Sequence, residues 1–278
     1  MEKEIFLCAI SNITSGTCWE DCKFCTQSLH YQAKIERYSK KEIEDIVQEA
    51  KEAYQLGAIG FCLVTAGKGI TDKNLKYILS VAENVKTELP NLNLIACNGT
   101  ASKEQLQELQ KAGIDSYNHN LETSKNYYKY ICSTHSWEER YRTCANVKEV
   151  GLNLCTGGIF GMGESEEDRE DFINSLLSLE PESIPINFYH HNPALPLKPN
   201  SLSIDEGLKL IRTIRKRFQG RLMVAGGRES FFKERQEEIF EAGANSIVVG
   251  NYLTTKGQEG HKDLEMLDRL GLKVAKRC

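Results

Sequence analysis

The sequence has no long apolar run. None of its 278 residues lies in a stretch approaching the roughly 18 consecutive apolar positions of a membrane-spanning helix. Nor does it open on a secretory leader. MEKEIFLCAISNI has a charged head, but only a short strand-like apolar run and no small-residue cleavage pattern. Charge of one sign is not in excess either: 35 basic side chains face 39 acidic ones, a formal net charge of −4. That balance gives no pull toward nucleic acid or a membrane surface. Proline is scarce, at six residues, and no low-complexity or Pro- or Ser-rich segment separates domains. These absences predict a cytoplasmic protein, folded as one domain over 1–278.

Cysteine, by contrast, is plentiful, at ten residues. Without an export signal a disulfide framework is disfavoured, because the cytosol keeps thiols reduced. Metal binding, catalysis and core packing remain, and packing is the default for any single buried thiol.

A recurring junction organises the chain. A polar stretch of helical period ends at a glycine, and a short β-rich run follows. It appears as KEAYQLG-AIGFCLVT (51–65), LQKAG-IDSYNHNL (109–121), VKEVG-LNLCTGGI (147–159) and IFEAG-ANSIVVG (239–250). Glycine accepts the left-handed conformation that ends a helix. Further strand candidates are 6–13, 92–97, 184–190 and 222–225. Strands separated by helices imply a parallel sheet. About eight such units in one domain predict an α/β fold, a (β/α)8 barrel, complete or nearly so. An open doubly wound sheet is the alternative. In a barrel, the C-terminal ends of the strands line the site.

CWEDCKFC (18–25) follows the first strand candidate, in a loop at that end. Its cysteines are spaced C-x3-C-x2-C. Structural zinc normally closes four ligands drawn from two pairs, and no second pair lies near in sequence. Three thiolates can instead hold three irons of a [4Fe–4S] cube and leave the fourth iron open. Three buried thiols, or zinc with a remote fourth ligand, stay as alternatives. Cys62, Cys97 and Cys155 lie in three different strand candidates. Inward-pointing side chains of a barrel could bring them together on its axis, or they could simply pack the core. Arg228 stands at the end of another strand candidate, and a buried guanidinium needs partners.

The C-x3-C-x2-C spacing, with Phe24 before the last cysteine, resembles the signature of the radical S-adenosylmethionine (radical SAM) superfamily. The resemblance narrows to the biotin synthase family. CWEDCKFCTQS (18–28), YNHNLETS (117–124), CTGGIFGMGE (155–164), IPIN (184–187), AGGRES (225–230) and AGANSI (242–247) resemble its motifs in order. The resemblance implies a sulfurtransferase that converts dethiobiotin to biotin by radical chemistry. Its cofactors would be S-adenosylmethionine, a [4Fe–4S] cluster on Cys18, Cys22 and Cys25, and a sulfur-donating [2Fe–2S] cluster on Cys62, Cys97, Cys155 and Arg228. It further implies that Phe24, Asn120, Glu122, Arg140 and Ile159 bind S-adenosylmethionine and that Asn118 and Asn187 bind dethiobiotin. A flavodoxin- or ferredoxin-type reductant, iron–sulfur assembly proteins and a homodimer would accompany it. Strand alternation would point Asn118, Asn120 and Glu122 into the barrel together.

Two departures stand out. Glu122 replaces the family's usual Asp, and the loop after Cys97 is about two residues shorter than in many members. Rival readings are another radical SAM barrel, of the hydrogenase-maturation or methylornithine-synthase kind, and a non-catalytic iron–sulfur carrier or zinc-stabilised module. The combination of Cys62, Cys97, Cys155 and Arg228 favours biotin synthase. Core packing is expected for Cys8, Cys132 and Cys144, and exposure for Cys278. Of His190 and His191, at most one should look inward. The basic run 212–221 reads as a solvated helix face rather than a docking site for the reductant.

Overall fold

The computed structural model describes residues 4–198, 202–254 and 257–277. Cys278 lies outside them. Ten strands form one sheet: β1 (Glu4–Asn12), β2 (Gly60–Val64), β3 (Asn93–Cys97), β4 (Ser116–Asn118), β5 (Asn153–Cys155), β6 (Gly158–Phe160), β7 (Ser183–Phe188), β8 (Arg221–Val224), β9 (Ser246–Val248) and β10 (Lys273–Val274). Every pairing is parallel, from β1 through β5, then β7, β8 and β9. β1 also pairs with β9, through Phe6 with Ser246 and Cys8 with Val248. The sheet therefore closes, and the predicted barrel is complete. Below its rim, β10 adds two residues beside Glu4 and Ile5.

Helices intervene because their sequences supply both ends. Thr71, Ser102, Ser136, Ser165 and Ser203 each form a reciprocal cap with the residue three positions on. Gly57, Gly113, Gly151 and Gly243, the junction glycines read from the sequence, follow helix ends with positive φ. Strands sandwiched between helices and barrel interior are apolar throughout; GFCLV of β2 is buried at all five positions. Most of the core lies between staves and helices. A smaller cluster fills the barrel axis: Cys8, Cys62, Val64, Ile95, Met223, Ala225 and Val248.

Two staves depart from expectation. The fifth is split into β5 and β6, because the chain at Gly157 runs against β7; a Cβ there would stand 1.7 Å from the Pro185 carbonyl oxygen. β4 ends at Asn118, so Asn120 and Glu122 lie beyond the strand, and Glu122 takes a left-handed φ of 70°. Strand alternation does not orient them; a turn does. No helix among the described residues is long and apolar enough to cross a membrane.

Candidate functional site

The loop after β1 carries Cys18, Cys22 and Cys25 in a tight fold of its own. Cys25 N–H donates to Cys22 O at 3.0 Å, and Leu29 N–H donates to Cys18 O at 2.8 Å. The loop is stapled to residues 131–135: Lys23 N–H donates to Ile131 O at 2.8 Å, and Asp21 accepts from Ser133 N–H at 2.8 Å. Burial raises the Cys18 thiol and pushes Cys25 up to about 11, so a bound cation is what would favour their thiolates.

Beside this loop opens a cavity of about 320 Å³. All three loop cysteines line it, with Phe24, Cys97, Asn118, Asn120, Glu122, Arg140, Ile159 and Asn187. Sequence reasoning named each of them, and the fold brings them to one space. Arg140 organises the wall. Its Nη1 donates to Asn120 O at 2.7 Å, its Nε to Tyr128 Oη at 2.8 Å, and its Nη2 stands 3.7 Å from Glu122 Oε1. Burial raises the Glu122 carboxyl, and the Arg140 charge opposes that shift. Ile159 N–H donates to Glu122 O at 2.9 Å, so the turn that aims Glu122 is tied to β6. Gly158 permits this, since a Cβ there would lie 2.4 Å from Glu122 O.

Of the interior cysteines, Cys97 lines this cavity, with Cys62 and Cys155 close to it in the barrel. A hydrogen bond from the Cys62 thiol to Cys97, together with burial, raises Cys62 well above its ordinary value. Asn118 Nδ2 lies 3.4 Å from Cys155 Sγ, and Cys97 Sγ lies 3.9 Å from Asn118 Oδ1. Asn118 thus bridges two of the three thiols. Asn187 donates from Nδ2 to Gly158 O at 3.0 Å and accepts from Gly226 N–H at 2.8 Å. That leaves one amide hydrogen free to face the cavity.

Arg228 does not join these cysteines. β8 ends at Val224, and Gly227, at φ 83°, turns the chain so that Arg228 opens the short helix Arg228–Phe232. Its guanidinium, wholly buried, is bound by Asp263 at 2.8 Å, Gln236 at 2.9 Å and Glu229 at 3.0 Å. The expectation that a buried arginine needs partners holds, but the partners are carboxylates and an amide. The arginine beneath Cys155 is Arg221, which lies across from Ser183 on β7 and acts electrostatically on the Cys155 thiol. Both line a floor cavity of about 40 Å³ with Cys8 and Met223. Alternation back from Met223 through Leu222 was the signal for it. Cys132 also plays more than a packing part. It touches Cys22, with 3.6 Å between the sulfurs, and the spacing C-x2-H in CSTH (132–135) was its signal. Cys144 is buried, its Sγ directed at His119 O at 3.1 Å. His190 is exposed, and His191 Nδ1 is buried without a hydrogen-bond partner; neither lines the main cavity. In the basic run, Arg215 binds Gly243, Phe218 and Gly220 carbonyls, and Arg217 pairs with Glu170.

The residues present suit a polar, metal-anchored ligand. Asn120 Oδ1 is buried with no hydrogen-bond partner in the cavity wall, an acceptor waiting for a donor. A closed parallel barrel with three thiols in its first loop, beside such a cavity, defines a radical SAM barrel. Residues 12–176 match the radical SAM superfamily, and residues 185–273 match the Biotin and Thiamin Synthesis associated domain. The chain belongs to the biotin synthase family. It is 59% identical over 276 residues to a biotin synthase of a Nitratiruptor species, with 99% of each chain covered. To that of a Sulfurovum species it is 59% identical over 278 residues, covering 99% of this chain and 98% of the other. S-adenosylmethionine and iron–sulfur clusters come with this membership as cofactors. In fold it also resembles methylornithine synthase, with a TM-score of 0.84 over 98% of this chain and 84% of that one, at 18% identity. The FeFe-hydrogenase maturase HydG from Carboxydothermus hydrogenoformans gives 0.83 over 97% and 67%, at 15% identity. At such identities the likeness is one of fold.

Proposed function

We propose that this protein inserts sulfur into dethiobiotin to form biotin, with Cys18, Cys22 and Cys25 holding a [4Fe–4S] cluster and Cys62, Cys97 and Cys155 holding a [2Fe–2S] cluster. The observation that carries the reading is that Cys97 lines the same cavity as the three loop cysteines, which leaves room for substrate between two metal centres. When bound, the larger cluster supplies the electron that cleaves S-adenosylmethionine to a carbon radical, and the smaller one supplies the sulfur.

The chain's own residues bind, orient and shield. Arg140 holds the carboxylate end of S-adenosylmethionine, and Phe24 and Ile159 pack its adenosyl part. Asn120 and Glu122 take the ribose hydroxyls; the unpartnered Asn120 Oδ1 accepts one of them. Glu122 reaches one methylene further than the family's usual Asp, and its left-handed backbone sets where that extra length points. Asn118 and Asn187 hydrogen-bond the ureido ring of dethiobiotin. Arg221, rather than Arg228, stands as the fourth partner of the interior cysteines, because both terminal nitrogens of Arg228 are engaged by Asp263, Gln236 and Glu229. We read the chain as a single barrel domain in a cytoplasmic homodimer, served by a flavodoxin- or ferredoxin-type reductant and by iron–sulfur assembly proteins.

Protein reconstituted without oxygen should show one [4Fe–4S] and one [2Fe–2S] cluster per chain by iron and sulfide analysis and Mössbauer spectroscopy. It should then convert dethiobiotin, while Cys18→Ala should abolish cleavage of S-adenosylmethionine. A single four-iron cluster, under conditions that fill both sites of a control enzyme, would leave radical chemistry without this sulfur source. Zinc in place of iron after reconstitution would sink the reading.

A further inference from the structure

Cys22 has a second set of neighbours. Its Sγ lies 3.6 Å from Cys132 Sγ and 3.3 Å from His135 Nε2, and the three donor atoms fall within 4.8 Å of one another. In a tetrahedral zinc site, with Zn–S about 2.3 Å and Zn–N about 2.0 Å, two sulfurs stand about 3.8 Å apart and a sulfur and a nitrogen about 3.5 Å. The two observed separations come within about 0.2 Å of those edges. Glu20 stands just outside this group of three, within reach of its histidine. Its Oε2 lies 3.8 Å from His135 Nε2 and is buried without a hydrogen-bond partner. A buried carboxylate oxygen left alone is costly unless a cation meets it.

The surroundings also orient the imidazole. Tyr128 Oη lies 2.8 Å from His135 Nδ1 and accepts a hydrogen bond from Arg140 Nε. A phenol oxygen there can accept a hydrogen bond from Nδ1–H, which leaves the Nε2 lone pair facing the thiols. The segment that carries Cys132 and His135 is fixed by Asp21, which accepts from Ser133 N–H at 2.8 Å and Thr134 N–H at 3.2 Å.

We propose that the cluster-free chain binds one divalent ion of nitrogen–sulfur preference, zinc or ferrous iron, on Cys22, Cys132 and His135, with Glu20 as fourth donor. Cys22 is shared with the [4Fe–4S] cluster of the proposed function, so the single ion and that cluster exclude each other. The single-ion site does not depend on that cluster being formed. Held by the ion, Cys22 is kept from oxidation until the cluster is built, and excess zinc slows that building.

The test is a cobalt(II) titration of iron-free, reduced protein without oxygen, cobalt serving as the spectroscopic stand-in for zinc. One bound equivalent should show thiolate-to-cobalt charge transfer and tetrahedral d–d bands, and zinc should displace it. Cys132→Ser and His135→Ala should each weaken that equivalent by at least about tenfold, whereas Cys144→Ser and Cys97→Ser should leave it in place. Far-UV circular dichroism checks folding, and His135→Ala carries the test if Cys132→Ser does not fold. No tetrahedral thiolate spectrum in the wild type, or wild-type binding by the folded variants, overturns the proposal. Reconstitution with iron and sulfide is read separately: a chain that binds cobalt here but builds no four-iron cluster keeps this site and loses the proposed function.

Discussion

Arg228 and Asp263 have no side-chain exposure, and their 2.8 Å contact ties the helix after β8 to the helix Gly260–Arg269. Removing one partner strands a charge in the core, so Asp263→Ala should cost about 3–5 kcal/mol in urea denaturation. Replacing both, as Arg228→Met with Asp263→Leu, should recover most of that, since paired apolar groups need no solvation. The folded double variant also decides the cluster question. Its reconstituted iron content should equal that of the wild type, and a loss of two irons per chain would make Arg228 a ligand after all. Why the sequence pointed to Arg228 is instructive. Its burial follows from its place after an apolar strand, but its partner lies 35 residues on. Such a contact leaves no local pattern. Arg221 was legible in principle, by counting inward positions back along β8, yet it sat hidden at the end of a basic run.

At the scale of elements, capping ties local chemistry to the site. Ser136 opens the helix Trp137–Glu149, which carries Arg140 to the cavity, and Glu139 closes the cap by accepting from Ser136 N–H at 2.7 Å. That bond, with Lys68 3.0 Å away, lowers the Glu139 carboxyl to about 2. A folded value below the unfolded one contributes stability that is present above the unfolded value of 4.5 and is lost as pH falls through it toward 2. The stability gap between wild type and Glu139→Gln should therefore be wider at about pH 6 than at about pH 3.5 in paired urea titrations. The group is partly exposed, so the gap is small and salt should narrow it. An unchanged gap would mean that the cap acts without its charge. Helix starts of this S-x-x-E kind are readable, because both partners lie within one turn. The end of β4 is not. Nothing in YNHNLETS marks where pairing stops, since the turn at Glu122 depends on Gly157 and Gly158 of a later stave.

For the whole molecule, closure through β1 and β9 decides whether a site exists at all. Four helix–glycine–strand junctions and four further β-rich runs made eight staves legible, but ring closure is a contact between residues about 240 apart, as in Ser246 Oγ donating to Phe6 O at 2.9 Å. The two matched segments, 12–176 and 185–273, take in the ring from β2 to β9, with β1 ending where the first begins. β1 to β6 fall on the N-terminal side of residue 180 and β7 to β10 on the other. The cavity needs both sides: Asn187, Leu253 and Thr254 line it with the loop cysteines, and Thr26 Oγ1 lies 2.7 Å from Thr254 Oγ1. Cutting the chain at 180 leaves β1 without β9 and β5 without β7, which exposes the unpaired backbone of parallel strands. Expressed alone, 1–180 and 181–278 should each bind a hydrophobic dye and melt without a cooperative transition. Produced together, they should pair, regain a single transition and recover the tetrahedral cobalt spectrum, because Cys22, Cys132 and His135 need the fold of the first piece and the first piece needs the edge of the second. A cooperative melt by either piece alone would divide the chain into two domains and place the limit of folding at the junction of the two matched segments.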